Sequence, residues 1–125
     1  MIDETFHYHT RYNLVSALDL STEAFQGEAK CRVRVNGNTV IASELPDNPG
    51  MSLTNAAEEV AMQVAGHYEI PLGELTWIEH YPEEPNHEES FDRVDFSFER
   101  GRLTKPRWKP ITKEEAIGML GDYHD

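Results

Sequence analysis

An α+β domain, built on an antiparallel sheet of four to five strands in the chain order β-β-β-α-β-β-α, is what this sequence predicts. Two hairpin signals and one amphipathic helical stripe predict it. The hairpins centre on Asn36-Gly37 and on the acidic loop before Phe91, and the stripe runs from Leu53 to Tyr68. A single domain spanning residues 1–125 is expected, because a chain of 125 residues can bury one core without disulfides or a structural metal.

The first strand is predicted over Thr5 to Tyr12, where Phe6, Tyr8 and Tyr12 alternate with His7, His9 and Arg11. Asn13 to Gln26 has no clear period, and both a strand extension and a helical turn stay open there. Glu28 to Val35 alternates strictly: Ala29, Cys31, Val33 and Val35 share one face, and Lys30, Arg32 and Arg34 the other. Asn36-Gly37 accepts the positive φ angles of a tight hairpin turn, so Asn38 to Leu45 should return antiparallel, with Val33 beside Val40 and Cys31 beside Ala42. Pro46-Asp47-Asn48-Pro49-Gly50 then breaks the chain.

From Ser52 or Thr54 to about His67 a helix is predicted, with Leu53, Ala56, Ala57, Val60, Ala61, Val64 and Tyr68 on one stripe. Its small side chains let the axis lie close to a sheet, across the face made by Cys31, Val33, Val35 and Val40. Leu75 to Tyr81 alternates again, Pro82 to Ser90 is an acidic loop, and Phe91 to Glu99 is a further strand with Val94, Phe96 and Phe98 on its apolar face. Thr112, with Glu115 three residues on, forms a capping box ahead of Ala116, Ile117, Met119 and Leu120. A short closing helix ending at Gly121 follows.

The charges are segregated. Val35 to Asp92 contains twelve acidic side chains and no lysine or arginine, whereas Arg100 to Lys113 contains six basic residues and no acid. The net charge of -12 opposes binding of nucleic acid phosphate to the molecule as a whole. Cys31 cannot form an internal disulfide and points with the apolar residues of its strand, so it reads as a small core side chain. Nowhere do eighteen apolar residues run together, and the first ten residues lack a signal-like apolar region; the expected setting is the cytoplasm, without a membrane partner.

Few residues invite chemistry. His7 and His9 on one strand face, with His80 or His87, are the only grouping that approaches a three-histidine zinc site. The bland reading, solvent-facing strand histidines, is favoured, and no cofactor is expected. Glu79, His80, Asp92 and Asp95 suggest acid-base chemistry, but a polar surface ladder across a hairpin predicts the same residues. No nucleophile elbow, phosphate-cradling glycine loop or dinucleotide fingerprint is present. Arg100, Arg102, Lys105, Arg107, Trp108 and Lys109 form a basic segment with an aromatic anchor, and Glu83, Glu84, Glu88 and Glu89 form an acidic loop. Pro106 and Pro110 argue against a central strand over the basic segment. Contact between it and an acidic surface, on the same chain or on a second copy, is the expected interaction.

TWIEHYP (Thr76 to Pro82), FDRVDFSF (Phe91 to Phe98) and WKPITKEE (Trp108 to Glu115) resemble small uncharacterised bacterial proteins of accessory or mobile gene pools. The resemblance covers about the C-terminal third, implies an accessory gene product rather than a housekeeping enzyme, and carries over no functional residue. The leading functional expectation is a non-catalytic, self-associating interaction protein. Two alternatives follow: an acidic mimic of nucleic acid that inhibits a DNA-binding partner, since a duplex presents a negative charge about every 1.7 Å, and a small histidine- or metal-dependent enzyme.

Overall fold

The computed structural model describes residues 1–8, 29–45 and 53–121. Its six described strands lie in chain order across one sheet: β1 (Ile2–Tyr8), β2 (Ala29–Asn36), β3 (Thr39–Glu44), β4 (Thr76–Tyr81), β5 (Ser90–Glu99) and β6 (Arg102–Ile111). Helix α1 (Ala57–His67), entered through a 3₁₀ turn at Leu53–Ala56, connects β3 to β4, and α2 (Lys113–Leu120) closes the described chain. The α+β class agrees with expectation. The strand number and direction do not.

Two corrections concern the sheet. β3 and β4 pair in parallel, with Val40 opposite Trp77 and Ser43 opposite His80, whereas every other neighbouring pair is antiparallel. The physical reason is the crossover: α1 carries the chain back along the sheet, so β4 starts at the same end as β3. The second correction is β6. The basic segment is an edge strand on β5, and Pro106 and Pro110 are tolerated there because an edge leaves one row of backbone groups unpaired. The ladder slips between Asp95 and Ser97, and Lys105 takes a positive φ of 50° just before Pro106.

β1 begins at Ile2, earlier than expected, and the remainder of the predicted first strand lies outside the described residues. In the β2–β3 hairpin the turn centres on Gly37 and Asn38. Val33 therefore faces Ala42 and Val35 faces Val40, a register two residues from the expected one. Only the first central residue, Gly37, has positive φ, at 63°, a position that favours glycine in a II′ turn. A slip of two preserves side-chain parity, so the buried set is unchanged.

α1 buries Ala57, Val60, Ala61, Val64 and Ala65 against Cys31, Val33, Val35, Val40, Ala42, Trp77 and Val94 on one face of the sheet. Burying each valine contributes about 1.5–3 kcal/mol, and the alanines between them permit the close approach. α2 covers the other face, where Ala116 and Leu120 pack on Ile41, Ile78 and Phe91. Its capping box is formed: Thr112 Oγ1 accepts from the Glu115 amide at 3.0 Å and Glu115 Oε1 from the Thr112 amide at 2.8 Å. Thr112→Ala removes that cap at about 1 kcal/mol. At the other end Gly121 is left-handed, and Asn36 Nδ2 donates to the Leu120 carbonyl at 2.7 Å. The parallel pair β3/β4 is thus covered on both faces, and its carboxyl ends hold polar side chains.

Candidate functional site

Alternation along β4 sends successive residues to opposite faces. Trp77, Glu79 and Tyr81 point to the α1 side; Ile78 and His80 point to the α2 side. Glu79 and His80 were expected on a surface ladder. Both are buried instead, Glu79 completely and His80 at 8% exposure, because helices cover the two faces.

Glu79 accepts hydrogen bonds from three aromatic side chains. Trp77 Nε1 donates to Oε2 at 3.1 Å, and Oε1 accepts from Tyr81 at 2.5 Å and from Trp108 Nε1 at 2.9 Å. Burial pushes its pKa up; the three donors act in the opposite sense and lower it. Asp92 lies directly opposite on β5, and burial raises its pKa as well.

On the α2 side, Ser43 Oγ lies 2.7 Å from His80 Nδ1, and His80 Nε2 lies 2.7 Å from Glu89 Oε2. The parallel register places Ser43 beside His80, and the β4–β5 loop returns Glu89 to the far ring nitrogen. Phe91 stacks on the imidazole, with centroids 4.4 Å apart and planes inclined by 19°. Burial holds the His80 pKa below its ordinary value, while the Glu89 hydrogen bond pulls it up. The same bond lowers the Glu89 carboxyl, and Lys113 Nζ lies 4.0 Å from its other oxygen.

Past these residues, at the end of the sheet, an open concavity of about 530 Å³ is lined by Glu44, Tyr81, Pro82, Glu84, His87, Glu88 and Ser90. Glu44 also fastens the entry to α1 by accepting from the Leu53 amide at 3.1 Å. The tip of the β4–β5 loop is a small bridge between Glu84 and His87, whose side chains approach to 3.2 Å.

The candidate histidine grouping, not the favoured reading, is not brought together among the described residues. His7 is on β1, three strands from His80, and His87 belongs to the loop tip; His9 lies outside the described residues. Among the described residues no group of three His, Cys, Asp or Glu side chains is placed to hold a metal ion. Of the acidic loop, Glu83, Glu84 and Glu88 are exposed, while Glu89 binds His80. Of the basic segment, Arg100 sits in the β5–β6 turn with φ 53°, Lys105 pairs with Glu99 at 3.3 Å, and Arg102, Arg107 and Lys109 are exposed on β6. Trp108 is 36% exposed, with its N–H turned to Glu79. Sequence reasoning missed Ser43 and the pairing role of Glu89. The one available signal was a serine at a core position of a strand otherwise reading Val-Ile-Ala.

Among the described residues no helix is long and apolar enough to cross a membrane. No protein-family model, curated protein or solved structure matches this chain.

Proposed function

We propose that this chain is a self-associating interaction module in which the basic edge strand β6 of one copy docks on the acidic loop end of another. The carrying observation is unneutralised charge of both signs. Among the described residues Arg102, Arg107 and Lys109 have no ion-pair partner, and neither do Glu83 and Glu88. In a symmetric pair the same basic-to-acidic contact occurs twice. Exposed ion pairs contribute only about 0–1 kcal/mol each, so they orient the contact, and the exposed face of Trp108 supplies affinity. This association requires no catalysis. Its proposed setting is the cytoplasm of a bacterium, as an accessory gene product, with Cys31 a buried free thiol.

Sedimentation velocity at high micromolar concentration, in low and in high salt, tests the reading. A dimer that weakens as salt rises is expected, with Trp108→Ala weakening it more than Lys109→Ala. A monomer at low salt overturns it. The exposed carboxylates of the loop tip favour nucleic-acid mimicry as the second reading. Capture of a DNA-binding protein at low salt, with release at high salt, supports that one.

A further inference from the structure

Self-association makes no use of the line Ser43–His80–Glu89. A carboxylate only accepts hydrogen bonds, and the His80 contact keeps Glu89 ionised near neutral pH. His80 Nε2 therefore carries the ring proton at its 2.7 Å contact with Glu89. Nδ1 is left with a lone pair for the Ser43 hydroxyl at 2.7 Å. Phe91 fixes the ring plane by stacking. A hydroxyl, a base with a free lone pair and a carboxylate that orients the base stand in the order that activates a serine. Here the hydroxyl meets Nδ1 and the carboxylate meets Nε2, but either nitrogen can take a proton once the other is held protonated.

The surroundings add to this. Ser43 and His80 stand near the carboxyl ends of β3 and β4, the one parallel pair among the described strands. Arg32 lies directly opposite Ser43 on β2, where Asp3 accepts from its guanidinium at 2.7 and 2.9 Å, and the charge of Arg34 acts on both His80 and Glu89. The Arg34 guanidinium thereby adds positive potential beside the His80–Glu89 pair.

We propose that Ser43 is an acyl-accepting nucleophile for small carboxylic esters, with His80 as its general base and Glu89 as the positioning residue. Ser43 Oγ bonds to the ester carbonyl carbon while the hydroxyl proton passes to His80 Nδ1. The carbon–oxygen bond to the leaving alcohol then breaks, and that alcohol takes the proton from Nδ1. Water repeats the sequence, releasing the acid and restoring Ser43. With Ser43 3% and His80 8% exposed, neighbouring side chains must give way to admit even a short acyl group.

The test treats the full-length protein with a small alkyl fluorophosphonate, which forms an Oγ–P bond as fluoride leaves, and maps the adduct by mass spectrometry. A single adduct on Ser43 is expected, with a rate that rises with pH as His80 loses its proton, at a midpoint below 6.5. His80→Gln should slow labelling about 10²-fold or more, and Ser43→Ala should abolish it. Wild-type protein that remains folded and unlabelled, an adduct on another side chain, or a rate independent of pH each overturns the proposal and leaves Ser43 as the hydrogen-bond partner of a buried histidine.

Discussion

Trp108 on the edge strand reaches across β5 to donate its indole N–H to Glu79 on β4, at 2.9 Å. Trp108 stands opposite Val94 and Val94 opposite Trp77, so a single cross-sheet row connects the edge to the central strand. The edge strand is held by this bond as well as by its ladder.

Trp108→Phe keeps much of the apolar contact and removes the donor. It should cost roughly 1.5–3 kcal/mol, the range for a hydrogen bond to a charged group. Trp108→Ala should cost more, and Lys109→Ala, at an exposed position, less than about 0.5 kcal/mol. Urea unfolding of the three variants orders them; a Lys109→Ala loss as large as that of Trp108→Ala contradicts the assignment.

Glu79 carries a pKa raised above its ordinary value of 4.5, chiefly by burial. An acid whose folded pKa is raised contributes stability that is fully present below the unfolded pKa and lost as pH rises through the folded one. Glu79→Gln removes that titration, so its ΔG profile should lack the decline expected of the wild type above pH 4.5. The amide also turns an N–H toward a donor-only indole, adding a pH-independent loss of about 1–3 kcal/mol. Parallel profiles for the two proteins would disprove the linkage.

Cys31 is fully buried, and burial pushes its thiol up to about 12. Relative to an ordinary thiol this lowers the thiolate fraction about a thousandfold near neutral pH. Reaction with an aromatic disulfide reagent should therefore be slow in the native protein and complete within the mixing time in denaturant. Fast native labelling would mean that the faces of β2 are reversed.

His80 is held below its ordinary pKa by burial. A base with a depressed folded pKa contributes stability that is present above pH 6.5 and lost as pH falls through the folded value. Nitrogen-15 NMR of the imidazole should show a neutral ring with the proton on Nε2 and no titration at 6.5. A protonated ring at pH 7, or a proton on Nδ1, would contradict the hydrogen-bond directions assigned to Ser43 and Glu89.

Elements set by neighbouring residues were legible in the sequence: the turn near Gly37, the Val60–Val64 stripe, the alternation of Trp77 with Ile78, the Thr112–Glu115 cap and the inward face of Cys31. Each depends on side chains a few positions apart, and periodicity reports which face a residue occupies. Periodicity is silent on pairing. The parallel union of β3 with β4, the capture of the basic segment as β6, and the burial of Glu79 and His80 depend on where α1 and α2 come to rest. The bonds that build the site join positions distant in the chain, Ser43 with His80 and Glu79 with Trp108. Local pattern alone determined the hairpins, the helices and their faces; only tertiary packing, by excluding water from both sides of β4, turned an apparent surface ladder of polar residues into two buried hydrogen-bonded groups.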